Sequence, residues 1–149
     1  MSIRKATKQD AARIAEIHQI SRETAMPWLP VLHTPAEDLW FYENLVIPDQ
    51  DVEVHEIDGV ITGFSATGEG WLHHLYVDPA YWKKGVGALL LLSAQARNKE
   101  LYLWVFQQNQ NARDFYSAHG FKEVEFTDGQ ANEEQMADLK MHWTLSPGS

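Results

Sequence analysis

Three short stretches of this 149-residue chain hold residue types that can do chemistry. The first is Lys83-Lys84-Gly85-Val86-Gly87-Ala88, set directly before the apolar run Leu89-Leu90-Leu91-Leu92. Two small residues spaced by one let consecutive main-chain N–H groups converge. A helix that begins there adds its unpaired N-terminal donors and the positive end of its dipole. The result is a cradle for a pyrophosphate with Lys83 and Lys84 as cations, although an ordinary glycine turn fits the same letters. The longer phosphate-loop patterns G-x-x-x-x-G-K-[ST] and G-x-G-x-x-G are absent from the sequence. The second stretch places Asn109, Ala112 and Tyr116 along one helix face. Asn109 can hydrogen-bond a peptide-like ligand, Ala112 lets that ligand pass close to the helix, and the phenol of Tyr116 can protonate a leaving group. Phe115 and Tyr116 also read as plain core aromatics. The third stretch is Trp71-Leu72-His73-His74-Leu75-Tyr76-Val77, whose aliphatic positions 72, 75 and 77 step by three and then by two. One extra residue near His73-His74 restores the alternation, as a β-bulge does, and frees a main-chain group for a ligand. A strand buried on both faces would produce the same letters.

The elements that must hold these stretches follow from periodicity and turn chemistry. Ile3–Ala6 reads as a first strand, and Asp10 as the N-cap of a helix with Ala11, Ile14, Ala15, Ile17 and His18 at helical spacing. Met26-Pro27-Trp28-Leu29-Pro30 is a loop, because prolines break regular structure. Thr34-Pro35 with Glu37 and Asp38 opens a second helix, expected to stop near Asn44, before Pro48. Asp51–Ile57 and Val60–Ala66 alternate around Asp58-Gly59, a hairpin signal, and Gly68-Glu69-Gly70 turns the chain into the 71–77 strand. A helix from Val86 to about Asn98, a strand Glu100–Phe106, a helix Asn109–His119 stopped by Gly120, and strands at 121–126 and 136–145 complete the chain. The order is β-α-α-β-β-β-α-β-α-β-β, a single mixed α/β domain over residues 1–149.

Composition narrows the function. Hydrophobic residues at 44% and charged residues at 22% are globular values. With 21 acidic against 12 basic side chains the net charge is −9, which disfavours nucleic acid and anionic membrane and mildly favours a cationic partner such as an amine. No cysteine is present, so a disulfide, a thiolate metal site or a cysteine nucleophile is excluded. The start Met1-Ser2-Ile3-Arg4-Lys5 lacks the apolar core of a secretion signal, and no run approaches the ~20 apolar residues of a membrane span. The expected compartment is cytoplasmic.

Taken in order, Leu75-Tyr76-Val77-Asp78-Pro79, then Lys84-Gly85-Val86-Gly87-Ala88, then Asn109, Ala112, Tyr116, Gly120 and Phe121 resemble the GNAT superfamily of acetyl-CoA-dependent N-acetyltransferases. The opening Ile3-Arg4-x-Ala6-x-x-x-Asp10 is similar to that family's first strand and helix start. Two positions depart from the pattern: Trp82 stands where the family usually has Gln or Arg, and Lys83 where a glycine often follows.

The resemblance implies a mostly antiparallel central sheet of seven strands with four helices, in which the 71–77 and 100–106 strands run parallel and splay apart. It implies that acetyl-CoA serves as co-substrate in that gap, its pantetheine arm against Leu75, Tyr76 and Val77 and its phosphates on residues 83–88. A main-chain N–H near the bulge would face the thioester carbonyl. The acceptor would attack directly, without an acyl-enzyme and without a metal, and Tyr116 would protonate the departing thiolate; a phenol near ~10 against a thiol near ~8.5 is a reasonable match. An alkyl ammonium near ~10 must first lose a proton. His73 is the expected base, with His74, Glu69, His33 and Glu37 as further candidates. Trp28, His33 and Trp71 are expected to line the acceptor pocket. The expected acceptor is a primary amine of a small molecule. The alternatives are a peptide or protein amine, or a domain that binds acetyl-CoA without turnover. A homodimer is one assembly open to such a chain.

Overall fold

The structure is a computed structural model and describes residues 2–145; Met1 of the N-terminal stretch read above lies outside them. Seven strands form one sheet: β1 (Ser2–Lys5), β2 (Asp51–Ile57), β3 (Val60–Gly68), β4 (Trp71–Val77), β5 (Glu100–Phe106), β6 (Lys122–Phe126) and β7 (Asp138–Thr144). Their spatial order is β1-β2-β3-β4-β5-β7-β6. All neighbours are antiparallel except β4 and β5. Among the described residues, four helices longer than a single turn accompany the sheet: α1 (Ala11–Ala25), α2 (Pro35–Phe41), α3 (Val86–Ala96) and α4 (Gln110–Ala118). The element order agrees with that read from the sequence.

Two apolar clusters hold the layers. Ile14 and Ile17 of α1 pack with Tyr42, Val46, Val54 and Phe64 on one face of the sheet. Leu91 and Ala94 of α3 pack with Leu72, Leu101, Leu103, Phe121, Leu139 and Met141 on the other. The β2–β3 turn holds Asp58 at φ 50° and Gly59 at φ 78°, the paired left-handed geometry of a two-residue hairpin loop.

Two expectations are corrected. Asp10 holds the expected N-cap position of α1, but its carboxylate makes no capping bond; it accepts the Thr7 N–H at 2.7 Å and two guanidinium N–H groups of Arg4 at 2.8 and 3.0 Å, closing a 3-10 turn ahead of the helix. The second helix does not stop near Asn44. Thr34 and Glu37 cap its start reciprocally, at 3.2 and 2.8 Å. Beyond Phe41 the helical path continues as a π-helical turn over Tyr42–Val46 and a last turn over Ile47–Asp49. Pro48 falls in the first positions of that last turn, where a missing N–H costs little.

The feature that makes the site is the β4–β5 junction. Among the described residues these parallel strands pair only at Trp71 and Tyr102, helped by the Tyr102 N–H donating to Gly70 O at 2.8 Å. Past that point each strand follows its own antiparallel partner, and the sheet opens into a wedge.

Candidate functional site

The wedge is a cleft of about 660 Å³. Its walls are Leu72–Val77 of β4 and Leu103–Phe106 of β5, its floor runs to residues 81–88, and α4 contributes Asn109, Ala112, Phe115 and Tyr116. Leu75, Tyr76, Val77, Lys83, Gly85, Val86, Gly87, Ala88, Asn109, Ala112, Tyr116 and His73 therefore share one cavity. Lys84 does not line it; its side chain is exposed beyond the rim.

At the floor, Lys83 has φ 65° and Gly85 φ 81°, alternate left-handed residues that turn main-chain N–H groups to one side. Gly85 is the N-cap of α3, and the first helical bond runs from Leu89 N–H to Gly85 O at 3.0 Å. The N–H groups of Val86, Gly87 and Ala88 thus precede the helical ladder and have no intrahelical acceptor. A Cβ on Gly87 would sit in ordinary contact, 3.6 Å from Phe115 and 3.7 Å from Val77, so a side chain much larger than a methyl group would fill the space between them. Sequence reasoning gave Trp82 no role. Its indole N–H donates to Val77 O at 2.8 Å, tying the loop to the end of β4.

Across the cleft, Asn109 caps α4 by accepting the Ala112 N–H at 3.3 Å, which leaves its amide N–H groups for other partners. Tyr116 packs edge-on against Phe115 and Phe121. Burial, with Tyr76 adding to it, pushes its phenol above the ordinary range, so it stays protonated at neutral pH.

The opposite face of the wedge carries the histidines. In the β3–β4 register Ala66 faces His74 and Thr67 faces Leu72, so His73 is the extra residue of a bulge. His73 is exposed, and its Nε2 lies 3.2 Å from Gly68 O. A carbonyl only accepts, so Nε2 carries a proton, and in the neutral ring Nδ1 is the nitrogen with a free lone pair. His74 points to the α1 face. The hydroxyl of fully buried Tyr42 lies 2.7 Å from His18 Nδ1 and 3.4 Å from His74 Nδ1. Desolvation pushes the pKa of both imidazoles down to about 3, Arg22 adding to the effect, so both are neutral. The guanidinium of Arg22 lies 3.5 Å from His18 Nε2 and pairs with Glu134 at 3.0 Å. No spacing in the sequence pointed to this group, because its members come from α1, the π-helical turn, β4 and the 127–137 loop.

The residues expected at the acceptor side are dispersed. His33 lines a second cavity of about 520 Å³ between α1, the 26–35 segment and Glu134; Met26 borders both cavities. His33 pairs with Glu133 at 2.7 Å, which raises its pKa. Trp28 packs edge-on against Phe106, and Trp71 stacks on Trp104, which is 48% exposed. Neither Trp28 nor Trp71 lines either cavity. Glu37 is committed to the Thr34 cap, and Glu69, at φ 55°, forms the exposed β3–β4 turn.

Residues 35–123 match the family model described as an acetyltransferase (GNAT) domain. An L-amino acid N-acyltransferase of Escherichia coli is 31% identical over 137 residues, covering 81% of this chain and 79% of that protein. A peptidyl-lysine N-acetyltransferase of Escherichia coli is 36% identical over 93 residues, 62% of each chain, so the matched region spans about three fifths of that relative. Among solved structures, the PaiA N-acetyltransferase of Thermoplasma acidophilum in complex with coenzyme A superposes with a TM-score of 0.77 at 21% identity, covering 97% of this chain and 98% of that one.

Proposed function

The chain belongs to the acetyltransferase (GNAT) family, and from that premise we propose that it transfers an acetyl group from acetyl-CoA to a primary amine of a small molecule, by direct attack in a ternary complex. One observation carries the reading: the β4–β5 wedge ends on the three N–H groups of Val86, Gly87 and Ala88 that precede the α3 ladder. The donor set suits a diphosphate, and the narrow apolar passage beside Gly87 suits a flexible arm.

Lys83 adds charge at the floor, and Trp82 keeps the loop in register with β4. Leu75 to Val77 offer main-chain groups to an amide-bearing arm, with Asn109 and Ala112 opposite. Bound acetyl-CoA supplies an activated acetyl carbonyl. The chain's own residues then handle two protons. His73, with its Nδ1 lone pair bare, takes one from the acceptor ammonium. The amine nitrogen bonds to the carbonyl carbon as the C–S bond breaks, Tyr116 gives its proton to sulfur, and the nitrogen sheds its remaining extra proton to water to leave a neutral amide. Burial raises the phenol, so Tyr116 still holds its proton when the thiolate departs. Solvent afterwards takes the proton from His73 and returns one to Tyr116. The amine enters from the α1 face, past Met26 and the 26–35 segment. The cytoplasm is the compartment this reading expects.

A peptide amine is the second reading. Trp71 and Trp104 lie on a sheet face beside the cleft, and the E. coli peptidyl-lysine N-acetyltransferase is a relative. The test is thiol release from acetyl-CoA with polyamines, amino acids, aminoglycosides and peptides. Acceleration by a small amine supports the first reading, and acceleration by peptides alone supports the second. Binding of coenzyme A without any acceptor leaves a non-catalytic module.

A further inference from the structure

Buried Tyr42 and His18 and half-buried His74 are polar groups that the acid and base roles leave unused, and the direction of their hydrogen bonds can be worked out. The chain of contacts starts at Arg22, 3.5 Å from His18 Nε2. A guanidinium only donates, so His18 Nε2 is the accepting nitrogen and the ring keeps its proton on Nδ1. That N–H donates to the Tyr42 oxygen at 2.7 Å. The Tyr42 hydroxyl proton then points to His74 Nδ1 at 3.4 Å. With Nδ1 accepting, a neutral His74 carries its proton on Nε2. The reverse polarity would set an imidazole N–H against a guanidinium N–H in a half-buried space, leaving both short of an acceptor.

His74 borders the cleft, and among the described residues its Nε2 has no hydrogen-bond partner. It directly follows the bulge residue, where β4 turns its free edge toward the wedge. We infer that His74 is a fixed hydrogen-bond donor into the cleft, its direction set by Arg22 through His18 and Tyr42, and that it meets the acetyl carbonyl oxygen as negative charge builds there. This rests on the acetyl-transfer reading and gives His74 the opposite of a base's role. His18, Tyr42 and Arg22 are positioning residues that act through it. Donors aimed at a developing oxyanion contribute about 10²–10³ in turnover.

The direct test is the histidine tautomer, read from ¹⁵N chemical shifts in the free protein and in its coenzyme A complex. The expected pattern is a proton on Nδ1 of His18 and on Nε2 of His74; a proton on Nδ1 of His74 overturns the inference whatever the activity. Kinetics supply the second arm. His74→Gln, whose amide keeps an N–H in reach, should hold kcat within about tenfold, while His74→Leu should lose about 10²-fold with KM for acetyl-CoA unchanged. Equal losses in the two variants, or an effect on KM alone, overturns it. If the wild-type protein acetylates no amine, the transfer reading fails, and the tautomer spectrum still reports separately on the donor.

Discussion

At the scale of single residues, the proposal divides two protons between groups on opposite walls of one cleft. Tyr116 is enclosed by Phe115 and Phe121 and has a raised pKa, so its phenol is protonated wherever the protein is folded. Tyr116→Phe keeps that packing and removes only the hydroxyl. It should lower kcat by about 10²-fold, within the range for general acids, and leave acetyl-CoA KM within about twofold. Steady-state kinetics check this, and unchanged kcat removes the acid role. His73 is the bulge residue, and its one ring contact goes to a carbonyl. His73→Ala should lower kcat by about 10²-fold with acetyl-CoA KM unchanged, and unchanged turnover would point to another base. Both residues were readable as types in a pattern. The bare nitrogen of His73 was not, because it depends on where Gly68 O lies.

At the scale of elements, the cofactor end depends on how α3 begins. Gly85 sits at φ 81° with open space around its missing Cβ, so Gly85→Ala meets no clash and carries only the left-handed strain, about 1–2 kcal/mol. Thermal unfolding should show a lower Tm for that variant. Gly87→Trp should abolish coenzyme A binding in calorimetry by filling the passage beside Phe115 and Val77, with the fold retained by circular dichroism. Trp82→Phe keeps the ring and loses the N–H that holds Val77 O. It should weaken coenzyme A binding about fivefold, one neutral hydrogen bond of about 1 kcal/mol, and spare kcat. The glycines and their order were visible in the sequence; the role of Trp82 was not, since a family pattern describes the residues it expects and is silent on a substitute. The π-helical turn was also hidden, because Pro48 reads locally as a stop and only the packing of Tyr42 beneath α1 keeps the path helical.

At the scale of the whole molecule, burying neutral histidines ties stability to pH. His18 and His74 have folded pKa values near 3 against 6.5 unfolded, and burial moves His55 the same way. A depressed folded pKa means stability is fully present above about 6.5 and is lost as pH falls toward about 3. His18 and His74 together should cost about 2.7 kcal/mol per pH unit inside that window. Urea titrations between pH 6 and 4 should show this slope, roughly halved in His18→Gln. Exposed His33 has the opposite sign, since Glu133 raises its pKa. The depressed carboxylates Asp10, Asp51 and Asp78 act only below about pH 4.

Local chemistry was enough to read the hairpin at Asp58-Gly59, the cap at Thr34, the glycine start of α3 and the order of the elements, while the bulge in β4 stayed one of two readings until the register with β3 decided it. Each of the first four is decided by neighbours within a few residues. The rest belongs to tertiary structure. β4 and β5 part after a single pair, each continuing against its own antiparallel partner, β3 or β7, and that parting makes the cleft. Arg22, His18, Tyr42 and His74 meet only when α1, the helix after Thr34 and β4 are stacked, so no spacing along the chain encodes their contact or the direction of their protons.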